Sequence, residues 1–105
     1  MCNPILLKST PTSHLSQCIE CKTIFLWHNN FVINYNLSEF DAFRKILART
    51  SFESNSLAFP DDVERVIVRT PHSSINLTFN QEEWNNLKAV VDEGQFVMQI
   101  YEMMK

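Results

Sequence analysis

Cys18-Ile19-Glu20-Cys21 is the strongest chemical signal in the chain, a C-x-x-C placed just before a run of β-branched and aromatic residues. Two thiolates at that spacing can share one tetrahedral zinc ion. A structural zinc takes four ligands, no second C-x-x-C exists, and the other soft donors of this half are His14, His28 and Cys2. His28 stands at the far end of the following strand, roughly 23 Å from Cys21 at about 3.3 Å per residue, so it cannot close the site. His14 and Cys2 are reachable, and two cysteines from each of two chains would also supply four thiolates. Cys18, Cys21 and His14 are therefore the candidate metal ligands. Lys22 weighs against this, because it stands where a metal knuckle often uses glycine for its tight turn. Redox chemistry would need a helix after the pair to lower a thiol pKa, and a strand follows instead. Inert thiols are the simplest alternative.

His28 and His72 are the second candidate, since they occupy matching places in an internal repeat. Imidazole serves acid–base chemistry and metals alike. Each falls at a hairpin turn, where a histidine commonly caps the end of a sheet, and no carboxylate or nucleophile pattern accompanies either one. Hydrolase, P-loop and dinucleotide signatures are absent, and a single glycine leaves little to build a phosphate-cradling loop. No catalytic residue is assigned, and a non-enzymatic protein is favoured over an enzyme.

The elements that position these residues come in two copies. Asn36-Leu37-Ser38-Glu39-Phe40 recurs as Asn80-Gln81-Glu82-Glu83-Trp84, each an N-cap with a glutamate three residues on that can complete a capping box. Upstream, Phe31, Ile33 and Tyr35 match Ile75, Leu77 and Phe79; downstream, Phe43, Ile46 and Leu47 match Leu87, Val90 and Val91. In residues 18–50, Thr23 to Trp27 and Phe31 to Tyr35 flank Asn29-Asn30. A two-residue turn there pairs His28 with Phe31, Leu26 with Ile33 and Ile24 with Tyr35 on one face. Residues 63–94 repeat the plan, with a turn inside Pro71-His72-Ser73-Ser74 and with Gly94 placed as a helix-terminating C′ residue.

The rest is read around these units. Residues 1–17 hold Pro4, Pro11 and several Ser and Thr without periodicity and are expected to be irregular; residues 51–62 read as a linker whose aromatics pack down. Residues 95–105 read as a short C-terminal helix, a last strand being the alternative. The fold expected is α+β: a tandem ββα–ββα pseudo-symmetric repeat in one domain, with four antiparallel strands in one sheet and both helices on one face. Its core would use Ile24, Leu26, Phe31, Ile33, Tyr35, Phe40, Phe43, Ile46, Ile75, Leu77, Phe79, Trp84, Leu87 and Val90.

Bulk properties exclude some partners. The 105 residues are 45% hydrophobic with eight phenylalanines, enough for one core, and the net charge of -3 with nine scattered Lys and Arg offers no face for nucleic acid. No apolar run reaches the roughly 20 residues that span a bilayer. Three cysteines do not make a secreted disulfide framework, so a cytoplasmic protein with reduced thiols is expected.

The two units differ on their outer faces. The first hairpin carries Phe25, Trp27 and Val32 opposite its core side, where the second has Arg69, Pro71 and Asn76. Contiguous aromatics on a sheet mark an interface, so these three residues are the candidate contact surface of a homodimer or of a protein partner. Ile5-Leu6-Leu7 or the Met-rich tail could instead cover them within the chain. The expected function is a small, non-enzymatic interaction module in the form of a homodimer, with structural zinc binding as the alternative.

The stretch from Cys18 to Leu47, with its C-x-x-C, its Asn29-Asn30 turn and its Asn-x-x-Glu-Phe cap, resembles a family of small uncharacterised proteins from Bacteroidetes. The resemblance implies a bacterial cytoplasmic protein and carries over no catalytic residue.

Overall fold

The computed structural model describes residues 3–104. The elements run β1 (Pro4–Ser9), β2 (Ser13–Cys18), β3 (Ile24–His28), β4 (Phe31–Tyr35), α1 (Leu37–Arg49), α2 (Phe52–Asn55), β5 (Leu57–Ala58), β6 (Glu64–Arg69), β7 (Asn76–Phe79) and α3 (Gln81–Met103). They build an α+β protein with two antiparallel sheets, one ordered β1-β2-β3-β4 and the other β5-β6-β7.

Asn29 takes a φ of 51°, a left-handed conformation that Asn tolerates better than most residues, and closes the β3–β4 turn. The register that follows pairs His28 with Phe31, Leu26 with Ile33 and Ile24 with Tyr35, as the two-residue turn requires. Both capping boxes form. The Asn36 side chain accepts from the Glu39 N–H and Glu39 accepts from the Asn36 N–H, and Asn80 and Glu83 do the same. Each such cap is worth about 1 kcal/mol to its helix.

Residues 1–17 are not irregular where they are described. Ile5 and Leu7 turn toward the core from β1, Leu15 is fully buried on β2, and the Pro-, Ser- and Thr-rich stretch is the turn between the two strands. Thr10 holds that turn, its N–H and hydroxyl donating to the Ser13 carbonyl while its Oγ1 accepts from the Ser13 N–H. This changes the sheet. A four-stranded antiparallel sheet is present, but β2 takes the edge of β3, whose unpaired backbone groups need a partner. The second hairpin pairs instead with two-residue β5 and stands in its own sheet.

The linker over 51–62 is likewise partly regular, with Ser51 capping α2 and Phe52 packed against the core. Helix α3 also departs from expectation: it runs unbroken through Gly94, so residues 95–105 are not a separate short helix in their described part. Gly94 serves close approach rather than termination. A Cβ there would collide with Leu15 Cδ2 and lie 3.5 Å from Leu15 Cγ, so the missing side chain lets α3 press onto β2. Lys8–Glu93 (2.9 Å) and Lys22–Glu102 (3.2 Å) tie the same half of the helix to the first sheet.

One core cluster joins both sheets and the two longer helices. Leu15, Ile24, Leu26, Phe79, Leu87 and Val90 are fully excluded from water. Three expected core residues are exposed instead. Phe31 lies beyond the end of the packed face, Ile75 belongs to the second turn, and Ile46 falls off the narrow stripe of Phe40, Phe43 and Leu47 that α1 buries. No helix among the described residues is long and apolar enough to cross a membrane.

Candidate functional site

The C-x-x-C forms the β2–β3 turn. The Lys22 N–H donates to the Cys18 carbonyl (2.9 Å) and the Cys18 N–H to the Thr23 carbonyl (2.9 Å), while Lys22 takes a φ of 66°. Lys22 thus adopts the left-handed conformation that a knuckle gives to glycine, at a steric cost of about 1 kcal/mol. Cys18 is buried and Cys21 exposed, the latter within 3.2 Å of Thr23 Oγ1. His14 is not brought to them. It stands four residues back along β2 from Cys18, roughly 13 Å at about 3.3 Å per residue, and bonds Ser9 Oγ instead. Among the described residues no three His, Cys, Asp or Glu side chains gather as a metal would require. Cys2 lies outside the described residues.

The two histidines have different environments. His28 is buried, its ring centroid 4.4 Å from that of Phe79, with Ser13 Oγ 3.4 Å from Nδ1 and Asn29 Nδ2 3.3 Å from Nε2. Burial lowers its pKa below the ordinary histidine value, opposed by the charge of Glu83 and by backbone hydrogen bonding at Thr78 and Thr12. It is a satisfied core histidine that joins the tip of the first sheet to β7. His72 is exposed in the second turn, where its N–H donates to Thr70 Oγ1.

The outer face of the first sheet is assembled from register. Leu6 pairs with Ser16, Ser16 with Phe25 and Phe25 with Asn34; in the next row Ser9 pairs with His14, His14 with Trp27 and Trp27 with Val32. Because side chains alternate along a strand, both rows point away from the core side of Leu15, Leu26 and Ile33. Phe25, Trp27 and Val32 therefore share one face, and β1 adds Leu6, which hydropathy alone could not place there. Leu6, Trp27 and Val32 are 61%, 44% and 45% exposed, and the Trp27 N–H donates to Ser16 Oγ (3.3 Å), laying the indole across β2. Neither intrachain cover is used. Ile5-Leu6-Leu7 is a strand of this sheet, and α3 packs on its other face through Gly94.

A polar cleft of about 470 Å³ opens elsewhere, where the β3–β4 turn faces β7 and the start of α3. Glu83 spans it. One carboxylate oxygen caps Asn80 and the other accepts from Asn29 Nδ2 (3.3 Å). Arg65, also in the lining, pairs with Asp61 at 2.9 Å and lies over the Phe59 ring. The Asn-x-x-Glu cap was legible in the sequence; its second bond, across to Asn29, was not.

These features define an α+β scaffold with an uncovered apolar sheet face and a polar cleft, without a cluster of three metal-ligating side chains among the described residues. The chain belongs to a family of unknown function (DUF6686), which it matches over residues 1–104. No curated protein and no solved structure matches it.

Proposed function

We propose that the protein is a non-enzymatic interaction module that self-associates through the outer face of its four-stranded sheet, with Trp27 at the centre of the contact and Phe25, Val32 and Leu6 around it. The observation that carries this reading is the uncovered apolar face, a grouping that soluble chains rarely leave in water. The two ββα units are, on this reading, copies of one scaffold, and both intact capping boxes support that. Only the first copy has the apolar outer face. The mass in solution tests the proposal: a dimer is expected for the parent chain and a monomer for Trp27→Asp, while a parent chain that is monomeric at every concentration would refute it.

A second reading is favoured by the φ of 66° at Lys22, which holds the Cys18–Cys21 turn in a knuckle-like conformation. Here the two thiols are half of a structural zinc site that a second chain completes. Stoichiometric zinc in protein purified without chelator, lost on Cys18→Ser, is the expected result; metal-free protein under those conditions removes the reading.

A further inference from the structure

We propose that the polar cleft between the β3–β4 turn and β7 binds a neutral polyhydroxylated ligand, a saccharide. At about 470 Å³ it falls in the size range of small-molecule sites. Its lining selects against charge. Arg65 is already paired with Asp61, Glu83 is already bonded by the Asn80 N–H and by Asn29, and the His28 ring is buried against Phe79 with Ser13 and Asn29 at its two nitrogens. An anion would meet the Glu83 carboxylate and a cation would meet Arg65. The α3 N-terminus gives no anion site either, because its capping box occupies it.

What the cleft does offer is amides. Asn29, Asn30, Asn76 and Asn80 line it; Asn29 and Asn80 are bonded to Glu83, and the amides that face a ligand are those of the exposed Asn30 and Asn76. Each primary amide presents a donor pair and an acceptor side by side, which matches a hydroxyl that must both give and receive a hydrogen bond. Phe31 supplies the complementary apolar surface. The residue lines the same cleft and is 59% exposed, a large cost for one whose strand partner His28 is buried, and a flat aromatic face suits the C–H face of a sugar ring.

The test is a backbone and side-chain amide NMR titration of the full chain with glucose, galactose, mannose and N-acetylglucosamine, with inorganic phosphate as the anionic probe. Saturable shifts centred on Asn29, Asn30 and Asn76 are expected for at least one sugar, with affinity falling about tenfold or more in Phe31→Ala and in Asn76→Leu, a loss of roughly 1.4 kcal/mol. Both positions are exposed, so both variants should fold, and Trp27→Asp should bind like the parent. No shift for any sugar at about 50 mM, shifts by phosphate alone, or shifts unchanged in both variants would overturn the proposal.

Discussion

His28 shows at the residue scale how a histidine read from the sequence as the polar end of a hairpin comes to be packed inside the fold. Its ring fills the junction between the sheets, and burial favours the uncharged form. The sign of the consequence follows directly. With the folded pKa below the ordinary value of 6.5, the unfolded chain takes up a proton first, so the stabilisation is complete above pH 6.5 and declines as pH falls toward the folded value. Urea unfolding followed from neutral to mildly acidic pH should show that loss in the parent and a flatter profile in His28→Gln. Stability that rises on acidification across this window would contradict the assignment. The repeat in the sequence suggested that His28 and His72 were equivalent; only their three-dimensional surroundings separate them, because the second turn is longer and leaves His72 in water.

At the scale of elements, what was legible and what was not divide along physical lines. The first hairpin and both capping boxes were readable because each rests on neighbours within a few residues: Asn29 in its turn, Asn36 with Glu39, Asn80 with Glu83. Strand β2 was not readable, because Ser13, Ser16 and Gln17 are polar residues buried by the sheet around them, and only Leu15 and Cys18 carry an apolar signal. Gly94 was misread for a similar reason. Trp84, Leu87, Val91, Gly94 and Met98 form one continuous buried stripe, and glycine belongs to it because β2 comes too close for a side chain. An exposed helical Gly→Ala change gains about 1 kcal/mol, whereas overpacking a core costs roughly 1–3 kcal/mol. Gly94→Ala should therefore lower stability by about 1 kcal/mol, and combining it with Leu15→Ala should cost less than the two losses added together. Chemical denaturation of the four proteins in the cycle measures this, and a Gly94→Ala variant more stable than the parent would show that α3 does not bear on Leu15.

At the scale of the whole molecule, two apolar surfaces stand out among the described residues, and each would give a different assembly. One is the outer sheet face of Leu6, Phe25, Trp27 and Val32; the other is the solvent side of α3, where Phe96, Ile100 and Met103 are exposed one helical turn apart. The sheet face carries the tryptophan, the side chain that most often anchors an interface, and a C2 dimer needs one self-complementary patch. Phe25, Trp27 and Val32 could be picked out from alternation alone; Leu6 could not, since its place depends on β1 joining the sheet at long range. The alternation also could not decide whether the chain covered its own face. That decision came from α3, which the Gly94 contact commits to the opposite side.

The measurement that bears most directly on this account is the sedimentation-equilibrium mass of three proteins across a wide concentration range: the parent chain, Trp27→Asp and Phe96→Asp. The sheet-face account predicts twice 12.3 kDa for the parent and for Phe96→Asp, and 12.3 kDa for Trp27→Asp. A parent mass of 12.3 kDa throughout, or a dimer that Phe96→Asp dissociates and Trp27→Asp leaves intact, would contradict it.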